Sequence, residues 1–336
     1  MKVCVVGAGA IGGYMAVRLA HAGHDVSAIA RGPHLAAIRA HGLTLVEAEQ
    51  ELVATNLTAT DWIPDLGRQD VVLLTLKAHQ IAAVVEDLPA IVGPETVLVT
   101  LQNGIPWWYF QKLGGPYADR VVETVDPGGV LFNAIDPNQV VGCIAYPAAT
   151  IAEPGVIKHI EGNRFPVGEL DGSASERVAM VSALFEGGGF KARVLDDIRS
   201  EIWLKLWGNL SFNPISALTH STLVDICQFP LSRALAATMM TEAQVIAERL
   251  GASFRVPMER RIAGAESVGK HKTSMLQDVE AGKPLEIDGM LGVVVELADI
   301  TGVEVPTLRT VYACASLLNR TIQDEGLHIK GSPRAV

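Results

Sequence analysis

Short apolar runs and helical repeats alternate along the first third of the chain. The runs at 2–6, 70–76 and 96–101 are largely apolar, which is typical of parallel strands that helices cover on both faces. Apolar positions at helical spacing follow over 11–22 and 79–88. This order of strand and helix patterns predicts a doubly wound α/β sheet.

The pattern changes after residue 120. Short β segments separated by turns are predicted from 121 to 170, followed by a helix over 175–186 and a strand over 192–195. Asp196-Asp197 then caps a long helical region that continues nearly to the end of the chain. The second part of the chain is therefore predicted to be all-helical.

A glycine-rich turn follows the first apolar run. Gly7 allows a sharp turn out of the strand, Gly9 leaves room for a pyrophosphate beside the backbone, and Gly12 lets the next helix pack closely. The N-terminal N–H groups of that helix, with the positive end of its dipole, favour a phosphate. The residues predicted to bind a dinucleotide here are Gly7, Ala8, Gly9, Ala10, Ile11 and Gly12.

The end of the second predicted strand, 25–30, indicates which dinucleotide to expect. NAD-binding versions of this turn place an Asp or Glu there, which holds the ribose 2′-hydroxyl. This chain has Arg31, and the next acidic residue is Glu47. Because a guanidinium is a permanently charged fork suited to phosphate, NADP(H) is the predicted cofactor. The alternative is a solvated Arg31, which would leave the choice between NADPH and NADH open.

Two later strand patterns each end in polar residues. Lys77 follows the run at 70–76, and Asn103-Gly104 follows the run at 96–101. Ligands of open parallel sheets bind beyond the carboxyl ends of the strands, so Lys77 and Asn103 are candidate binding residues. The alternative is ordinary turn chemistry, which is strongest for Asn103-Gly104.

Length and composition agree with two domains. The 336 residues exceed what one core usually carries, and 49% hydrophobic residues exclude global disorder. We predict an α/β Rossmann-type dinucleotide-binding domain over 1–197, an all-α substrate and catalytic domain over 198–328, and a frayed tail over 329–336.

Charge and cysteine usage narrow the class of protein further. A net charge of −10 without a basic cluster argues against nucleic acid, and no apolar run is long enough to cross a bilayer. The cysteines lack the spacing of a metal site, so they predict buried, reduced thiols in a cytoplasmic protein with no bound metal. They are Cys4, Cys143, Cys227 and Cys314.

Three polar residues recur at every fourth position of the first long helix. Lys205, Asn209 and Asn213, called here the lysine stripe, share one helix face, and nearly all residues around them are large and apolar. A surface helix would carry more charges, so the stripe predicts a polar binding site. The alternative is a lysine whose amine reaches the surface. Trp203 and Trp207 are predicted to anchor the helix in the core.

Two carboxylates begin a later helix. A helix is predicted over 272–279, and a second one carries Glu286 and Asp288 in its first turn and runs to about Thr301. Asp288 is predicted to complement the helix dipole. Glu286 either does the same or serves as the partner of a lysine in a binding site.

In order and spacing, these motifs resemble the ketopantoate reductases (2-dehydropantoate 2-reductases) over essentially the whole chain. The family fold, a Rossmann domain followed by an all-helical domain, agrees with the pattern above. The matching segments are GAGAIG at 7–12, Arg31, Leu76-Lys77-Ala78, Leu101-Gln102-Asn103-Gly104, 154–159, the lysine stripe, 274–278 and 286–288.

The resemblance implies NADPH-dependent reduction of a 2-oxo acid, most directly ketopantoate to pantoate in pantothenate biosynthesis. Lys205 falls on the catalytic lysine that donates a proton to the carbonyl oxygen, and Glu286 on the carboxylate that orients lysine and substrate. The expected partners are a small 2-oxo acid and, as an option, a second copy of the chain in a homodimer. The implied binding residues are Asn209, Asn213 and Ser274 for the substrate, Arg31 and Lys77 for the adenosine phosphate and ribose, and Asn103 near the nicotinamide and substrate.

Two departures from the family pattern concern the substrate. The aromatic run Trp107-Trp108-Tyr109-Phe110 follows the nicotinamide-side motif, and the region 114–135 is longer than the usual connection. Either feature could reshape the substrate pocket. The alternative is that the aromatic side chains pack an added loop against the core.

Other functions remain open at the sequence level. The chain could reduce another small 2-oxo acid or an imine, as the hydroxyacid and opine dehydrogenases do, or it could be a non-catalytic NADPH sensor. A sensor needs the glycine turn but no proton donor, so the intact Lys205 and Glu286 argue against it.

Overall fold

The structure of the protein, a computed structural model, describes residues 1–329, which form two compact units. The first, called here the sheet unit, is formed by residues 1–103, 107–121 and 128–198. The second, called the helical unit, is formed by residues 104–106, 122–127 and the described chain from 199 onward. Apart from residue 329, the predicted frayed tail lies outside the described residues.

The sheet unit holds all the described strands. In chain order they are β1 (Lys2–Val6), β2 (Asp25–Ile29), β3 (Leu43–Val46), β4 (Glu51–Ala54), β5 (Thr58–Thr60), β6 (Val71–Leu74), β7 (Val97–Thr100), β8 (Val140–Cys143), β9 (Ala148–Glu153), β10 (Val156–Glu161), β11 (Val167–Glu169) and β12 (Val194–Leu195).

The α-helices include those of the helical region predicted for the second half of the chain. They are α1 (Ala10–His21), α2 (Gly32–His41), α3 (Ala78–Ile81), α4 (Val130–Ala134), α5 (Glu176–Gly187), α6 (Ile198–Thr219), α7 (Leu223–Gln228), α8 (Pro230–Arg249), α9 (Met258–Ser267), α10 (Ser274–Glu280), α11 (Val293–Thr301) and α12 (Pro306–Glu325).

The main sheet has eight strands in the order β12-β11-β8-β7-β6-β1-β2-β5. Its strands pair in parallel except for the antiparallel pair β8–β11. The central strands β1, β6 and β7 are buried along nearly their whole length, which explains their continuous apolar sequence. The predicted Rossmann-type fold followed by a helical region is confirmed.

A smaller sheet of β4-β3-β10-β9 covers α1 on the side away from the main sheet. Adjacent glycines make this layering possible. A Cβ at Gly12 would lie 3.0 Å from Val5 Cγ1 of β1, and one at Gly13 would lie 2.7 Å from Ile157 Cγ1 of β10. Because neither glycine has a side chain, α1 packs closely against β1 on one side and β10 on the other.

The two short segments that precede residue 199 are bound into the helical unit by hydrogen bonds. The carboxylate of Glu296 on α11 accepts the backbone N–H groups of Glu123 and Thr124, each at 2.8 Å. The N–H of Ile105 donates to the carbonyl of Gly289 at 3.3 Å. Backbone that comes early in the chain thus completes the helical unit.

The predicted helix over 79–88 is wrong. The structure has one α-helical turn, α3, followed by 3₁₀ turns at 82–84 and 88–90. Buried Ile81, Val84 and Leu88 carry the helical spacing that suggested a longer helix. Pro89 disfavours α-helical geometry at the residue before it and has no N–H to donate, so an α-helix is not expected to continue past 88.

The region 121–170 contains more than the predicted β segments. The strands β8 to β11 lie there, but α4 precedes them.

The prediction that all four cysteines are buried is wrong for Cys314, which is exposed on α12, whereas the other three are buried. Among residues 1–329, no cluster of three or more His, Cys, Asp or Glu side chains could hold a metal ion. Within the same range, no helix combines the length and the apolar character that a membrane crossing requires.

Candidate active site

The three glycines of the first turn have the environments that their predicted roles require. Gly7 has φ +105°, and a Cβ there would lie 2.8 Å from Leu76 Cδ2. Gly12 packs α1 against β1. At Gly9, by contrast, a Cβ would have no atom within 4 Å. The open side of the turn is therefore at Gly9, where a pyrophosphate would approach the backbone.

The start of α1 suits an anion. Gly9 is its N-cap, no side chain caps it, and its first turn holds no acidic residue. The positive end of the helix dipole is thus not offset by a carboxylate within the turn. The main-chain geometry fits a dinucleotide phosphate.

The end of β2 lacks an acidic ribose acceptor, as the sequence indicated. Arg31 is exposed and is the N-cap of α2. Glu47, the next acid, lies after β3 and accepts hydrogen bonds from Arg18 on α1 at 2.5 Å and from Gln50 at 2.9 Å. Glu47 is thus paired with Arg18, and the charged residue that follows β2 most directly is Arg31.

Lys77 and Asn103 lie beyond neighbouring strand ends. In the main sheet Val6 pairs with Leu74, and Leu74 pairs with Thr100, so β1, β6 and β7 end at the same edge. The side-chain amide of Gln102 donates to the Leu74 carbonyl at 3.0 Å. Lys77 and Asn103 therefore follow the same edge from which the glycine turn leaves β1.

His34 contacts the glycine turn, and sequence reasoning missed it. The Gly155 N–H donates to its Nδ1 at 3.0 Å, so Nδ1 is unprotonated and Nε2 carries the proton that is donated to the Ala8 carbonyl at 2.8 Å. The ring thereby links the glycine turn to the β9–β10 turn. Gly155 is 121 residues from His34, so no local pattern could indicate this contact.

The lysine stripe lies on α6 of the helical unit. Lys205 and Asn209 are half-buried, and Asn213 is buried with 6% of its surface exposed. Trp203 and Trp207 are fully buried, as predicted, and the indole N–H of Trp207 donates to the Met240 carbonyl at 2.7 Å. Helical geometry places both tryptophans on the face opposite Lys205. They hold α6 in the core while the stripe faces away from them.

The stripe contacts the segment that carries the two carboxylates. The side-chain amide of Asn213 lies 3.7 Å from Met290 Sδ. Met290 belongs to a π-helical turn, Asp288–Gly292, which leads into α11. Helical turns of this kind are frequent at functional sites. Glu286 lies just before this turn and is half-buried.

The π-helical turn is fixed by α12. The Tyr312 hydroxyl donates to Asp288 Oδ1 at 2.7 Å. A Cβ at Gly292 would lie 2.9 Å from Tyr312 Cζ, so only glycine admits the ring there. Burial, with the nearby Asp288 carboxylate, raises the pKa of Tyr312 to about 12, so the hydroxyl keeps its proton at neutral pH.

Ser274 is the first residue of α10 and is exposed. The helix is capped by Thr273, whose hydroxyl accepts the Leu276 N–H at 3.2 Å. The structure thus joins Asn213 to the Glu286 segment by direct contact, whereas Ser274 lies on another helix of the same unit.

The aromatic run at 107–110 packs into the sheet unit. All four side chains are buried, and the Trp108 indole N–H donates to Thr100 Oγ1 at 2.9 Å. A Cβ at Gly142 would lie 3.0 Å from the Trp108 ring. The structure therefore favours the alternative in which these side chains pack a loop against the core.

A Rossmann-type fold with this glycine turn is typical of dinucleotide-dependent oxidoreductases. Sequence profiles of known families agree. Residues 3–172 match the family described as ketopantoate reductase PanE/ApbA, and residues 197–319 match its C-terminal domain.

Individual relatives cover nearly the whole chain. The 2-dehydropantoate 2-reductase of Mesorhizobium japonicum is 49% identical over 98% of this chain and 100% of its own. A Ralstonia solanacearum protein provisionally described as a ketopantoate reductase has a crystal structure with a TM-score of 0.91 and 37% identity, covering 97% and 99% of the two chains. D-mandelate dehydrogenase in complex with NADH shares the fold, with a TM-score of 0.82, 20% identity and coverage of 96% and 99%. The chain belongs to the ketopantoate reductase family of oxidoreductases.

Proposed function

We propose that this protein reduces ketopantoate to pantoate with NADPH and thereby serves pantothenate biosynthesis. The observation that carries the proposal is the lysine stripe, which lies half-buried on α6 and contacts the segment after Glu286. The 49% identity to a 2-dehydropantoate 2-reductase supports the choice of substrate.

Lys205 is the proton donor in this proposal. When bound, the reduced nicotinamide supplies a hydride to the carbonyl carbon, and negative charge develops on the carbonyl oxygen. The Lys205 ammonium stabilises that charge and donates the proton that completes the hydroxyl group. The neutral amine then takes a proton from solvent, so one hydride and one proton convert the 2-oxo acid to the 2-hydroxy acid.

The amides and the carboxylate orient the reactants. Asn209 and Asn213 offer hydrogen bonds without a competing charge. Glu286 keeps the lysine ammonium paired and directed while the substrate binds. Ser274 and Asn103 complete the proposed substrate contacts.

The proposed cofactor preference depends on the cations near the glycine turn. Arg31 would bind the adenosine 2′-phosphate with its planar fork, and Lys77 would approach the adenosine ribose and phosphate. Arg31 follows β2 where NAD-binding versions of this fold have an acidic residue, which supports NADPH over NADH.

The direct test follows NADPH oxidation by the purified protein with ketopantoate and a panel of other 2-oxo acids, including pyruvate and phenylglyoxylate. We expect a kcat/KM for ketopantoate in the usual enzyme range, about 10⁴–10⁸ M⁻¹s⁻¹, and well above that of the panel. Turnover that requires an added amine would instead support imine reduction. NADPH binding without any turnover would support a sensor.

Arg31→Ala is expected to weaken NADPH binding by about 10- to 100-fold and to leave NADH binding unchanged. The estimate corresponds to the loss of charge-assisted hydrogen bonds to one phosphate. Fluorescence titration with both cofactors measures it. Arg39→Ala is the matched control, since Arg39 lies on the same helix and donates to the Ala59 carbonyl at 3.0 Å. An equal loss for NADPH and NADH would contradict the assignment.

His34→Ala is expected to weaken NADPH binding by about 10-fold, because the glycine turn and the β9–β10 turn lose their link. His34→Gln should retain most of the affinity, since a glutamine amide can donate to Ala8 and accept from Gly155. Thermal unfolding of the cofactor-free variants separates a local effect from a global one. Wild-type NADPH affinity of His34→Ala would exclude a positioning role for the ring.

A further inference from the structure

Trp62 is a large aromatic side chain that is exposed on the sheet unit. Residues 1–103 contain only one other Phe, Tyr or Trp, which is Tyr14. The Tyr14 side chain is buried with 2% of its surface exposed, whereas Trp62 has 54% exposed. Within residues 1–103, the Trp62 indole is therefore the one aromatic surface that a ligand can reach.

Trp62 lies beyond the carboxyl end of β5, at the edge from which the glycine turn leaves β1. In the glycine turn, the N–H of Ala8 donates to the Ile29 carbonyl of β2 at 2.8 Å. The next residue of that segment, Ala30, donates its N–H to the Thr60 carbonyl of β5 at 3.1 Å. Since neighbouring strands are about 5 Å apart, the end of β5 lies about 10 Å from the glycine turn.

The strands β1, β2 and β5 form the half of the fold that binds the adenosine end of a dinucleotide. The order β5-β2-β1-β6-β7-β8 within the main sheet corresponds to the usual Rossmann order 3-2-1-4-5-6, which consists of two mononucleotide-binding halves. The adenosine ribose lies at the end of the second strand, here β2. An adenosine that extends from the glycine turn past the end of β2 therefore reaches the end of β5, where Trp62 follows.

The backbone around Trp62 is held in place while its side chain is exposed. Its N–H donates to Thr60 Oγ1 at 3.1 Å, and its carbonyl accepts the Asp65 N–H at 3.4 Å. Ile63, which begins a 3₁₀ turn at Ile63–Leu66, is buried with 2% of its surface exposed. Because an indole also has only two side-chain torsions, it loses little conformational freedom when a flat ring binds against it.

We propose that Trp62 stacks on the adenine ring of the dinucleotide, an inference that rests on dinucleotide binding in the proposed function. It depends neither on ketopantoate as the substrate nor on the choice between NADPH and NADH, because both cofactors contain adenine. Base–aromatic stacking requires the flat face of each ring and no matched hydrogen-bond donor. Trp62 thus holds the base, whereas Arg31 is the proposed partner of the 2′-phosphate.

The first test is calorimetric titration of Trp62→Ala with NADPH and with NADH. We expect both dissociation constants to rise about 10- to 100-fold, the usual effect of losing one stacked base. Arg31→Ala, by contrast, is expected to weaken NADPH binding alone. Trp62→Phe should retain most of the affinity, because it keeps an aromatic face. Phe229→Ala is the matched control, since it removes an aromatic side chain that is 58% exposed on the helical unit, and it should leave both constants unchanged.

Acrylamide quenching tests the same contact in the wild-type protein. The other four tryptophans are at most 2% exposed, so the emission that acrylamide quenches belongs to Trp62, and Trp62→Phe should lose it. Saturating adenosine 2′,5′-bisphosphate, which carries the adenine without a nicotinamide, should protect this emission. The buried tryptophans are Trp107, Trp108, Trp203 and Trp207.

Wild-type affinity of Trp62→Ala for both cofactors would overturn the proposal, as would full access of acrylamide to Trp62 when the bisphosphate is bound. Equal losses of affinity in Trp62→Ala and Trp62→Phe, with lowered unfolding temperatures of both cofactor-free variants, would show a structural role and also overturn it.

The assay with 2-oxo acids separates this result from failure of the proposed function. If the wild-type protein reduces no 2-oxo acid but shows the expected titration and quenching results, the proposed reaction fails and the adenine site stands. If it reduces ketopantoate while Trp62→Ala binds NADPH and NADH normally, the adenine site is overturned and the proposed reaction stands.

Discussion

Replacement of Lys205 by alanine is expected to lower kcat for ketopantoate reduction by about 10²–10⁴-fold, the usual contribution of a positioned acid. The variant should bind NADPH as the wild-type protein does, since the proposed cofactor contacts at the glycine turn and Arg31 are unchanged. Single-turnover oxidation of bound NADPH measures the chemical step directly and separates it from product release.

The control for this experiment is Lys270→Ala, which removes an exposed lysine from the same unit and should keep full activity. If Lys205→Ala retained its single-turnover rate within a factor of about two, the proton would have to come from another group. Wild-type-like NADPH affinity in the titration is required for either conclusion.

Gly9→Ala and Gly12→Ala are both expected to bind NADPH weakly, but for different reasons. At Gly9 the new methyl group meets no protein atom, so stability should be kept, but it occupies the open side of the turn. We expect NADPH affinity to fall about 100-fold, or roughly 2.7 kcal/mol. At Gly12 the methyl group collides with β1 and with the turn itself. Gly12→Ala should therefore lower the free energy of unfolding by roughly 1–3 kcal/mol in addition to weakening NADPH binding.

Thermal unfolding without cofactor and fluorescence titration with NADPH separate the two effects. The expected result is an unchanged unfolding temperature for Gly9→Ala and a lowered one for Gly12→Ala, with weak binding in both variants. Tight NADPH binding by Gly9→Ala would show that the pyrophosphate does not approach this side of the turn.

Much of the sheet unit could be predicted because its central strands are covered on both faces. Such strands are apolar throughout, so β1, β6 and β7 stand out from the sequence. The backbone roles of Gly7 and Gly12 could also be predicted, because each follows from the geometry of a strand, a turn and a helix that are adjacent in sequence. Periodicity alone failed over 79–88, where buried positions at helical spacing belong to one α-helical turn and two 3₁₀ turns.

Contacts between distant segments could not be predicted. The sequence does not indicate that His34 joins Ala8 to Gly155, or that Glu296 accepts the N–H groups of Glu123 and Thr124. In both cases the partners depend on how elements that are distant in sequence pack together. A lone histidine or glutamate at such positions is indistinguishable from a surface residue until the fold is known.

The hydrogen bonds from Glu123 and Thr124 to Glu296 affect how parts of this protein can be exchanged with those of relatives. A chimera joined only at residue 199 would pair one parent's 104–106 and 122–127 segments with the other parent's helices. The contacts of the Glu296 carboxylate and the hydrogen bond from Ile105 to Gly289 would then have to match across parents. If segments 104–106 and 122–127 are transplanted together with the chain from 199 onward, all contacts within the helical unit come from one parent protein.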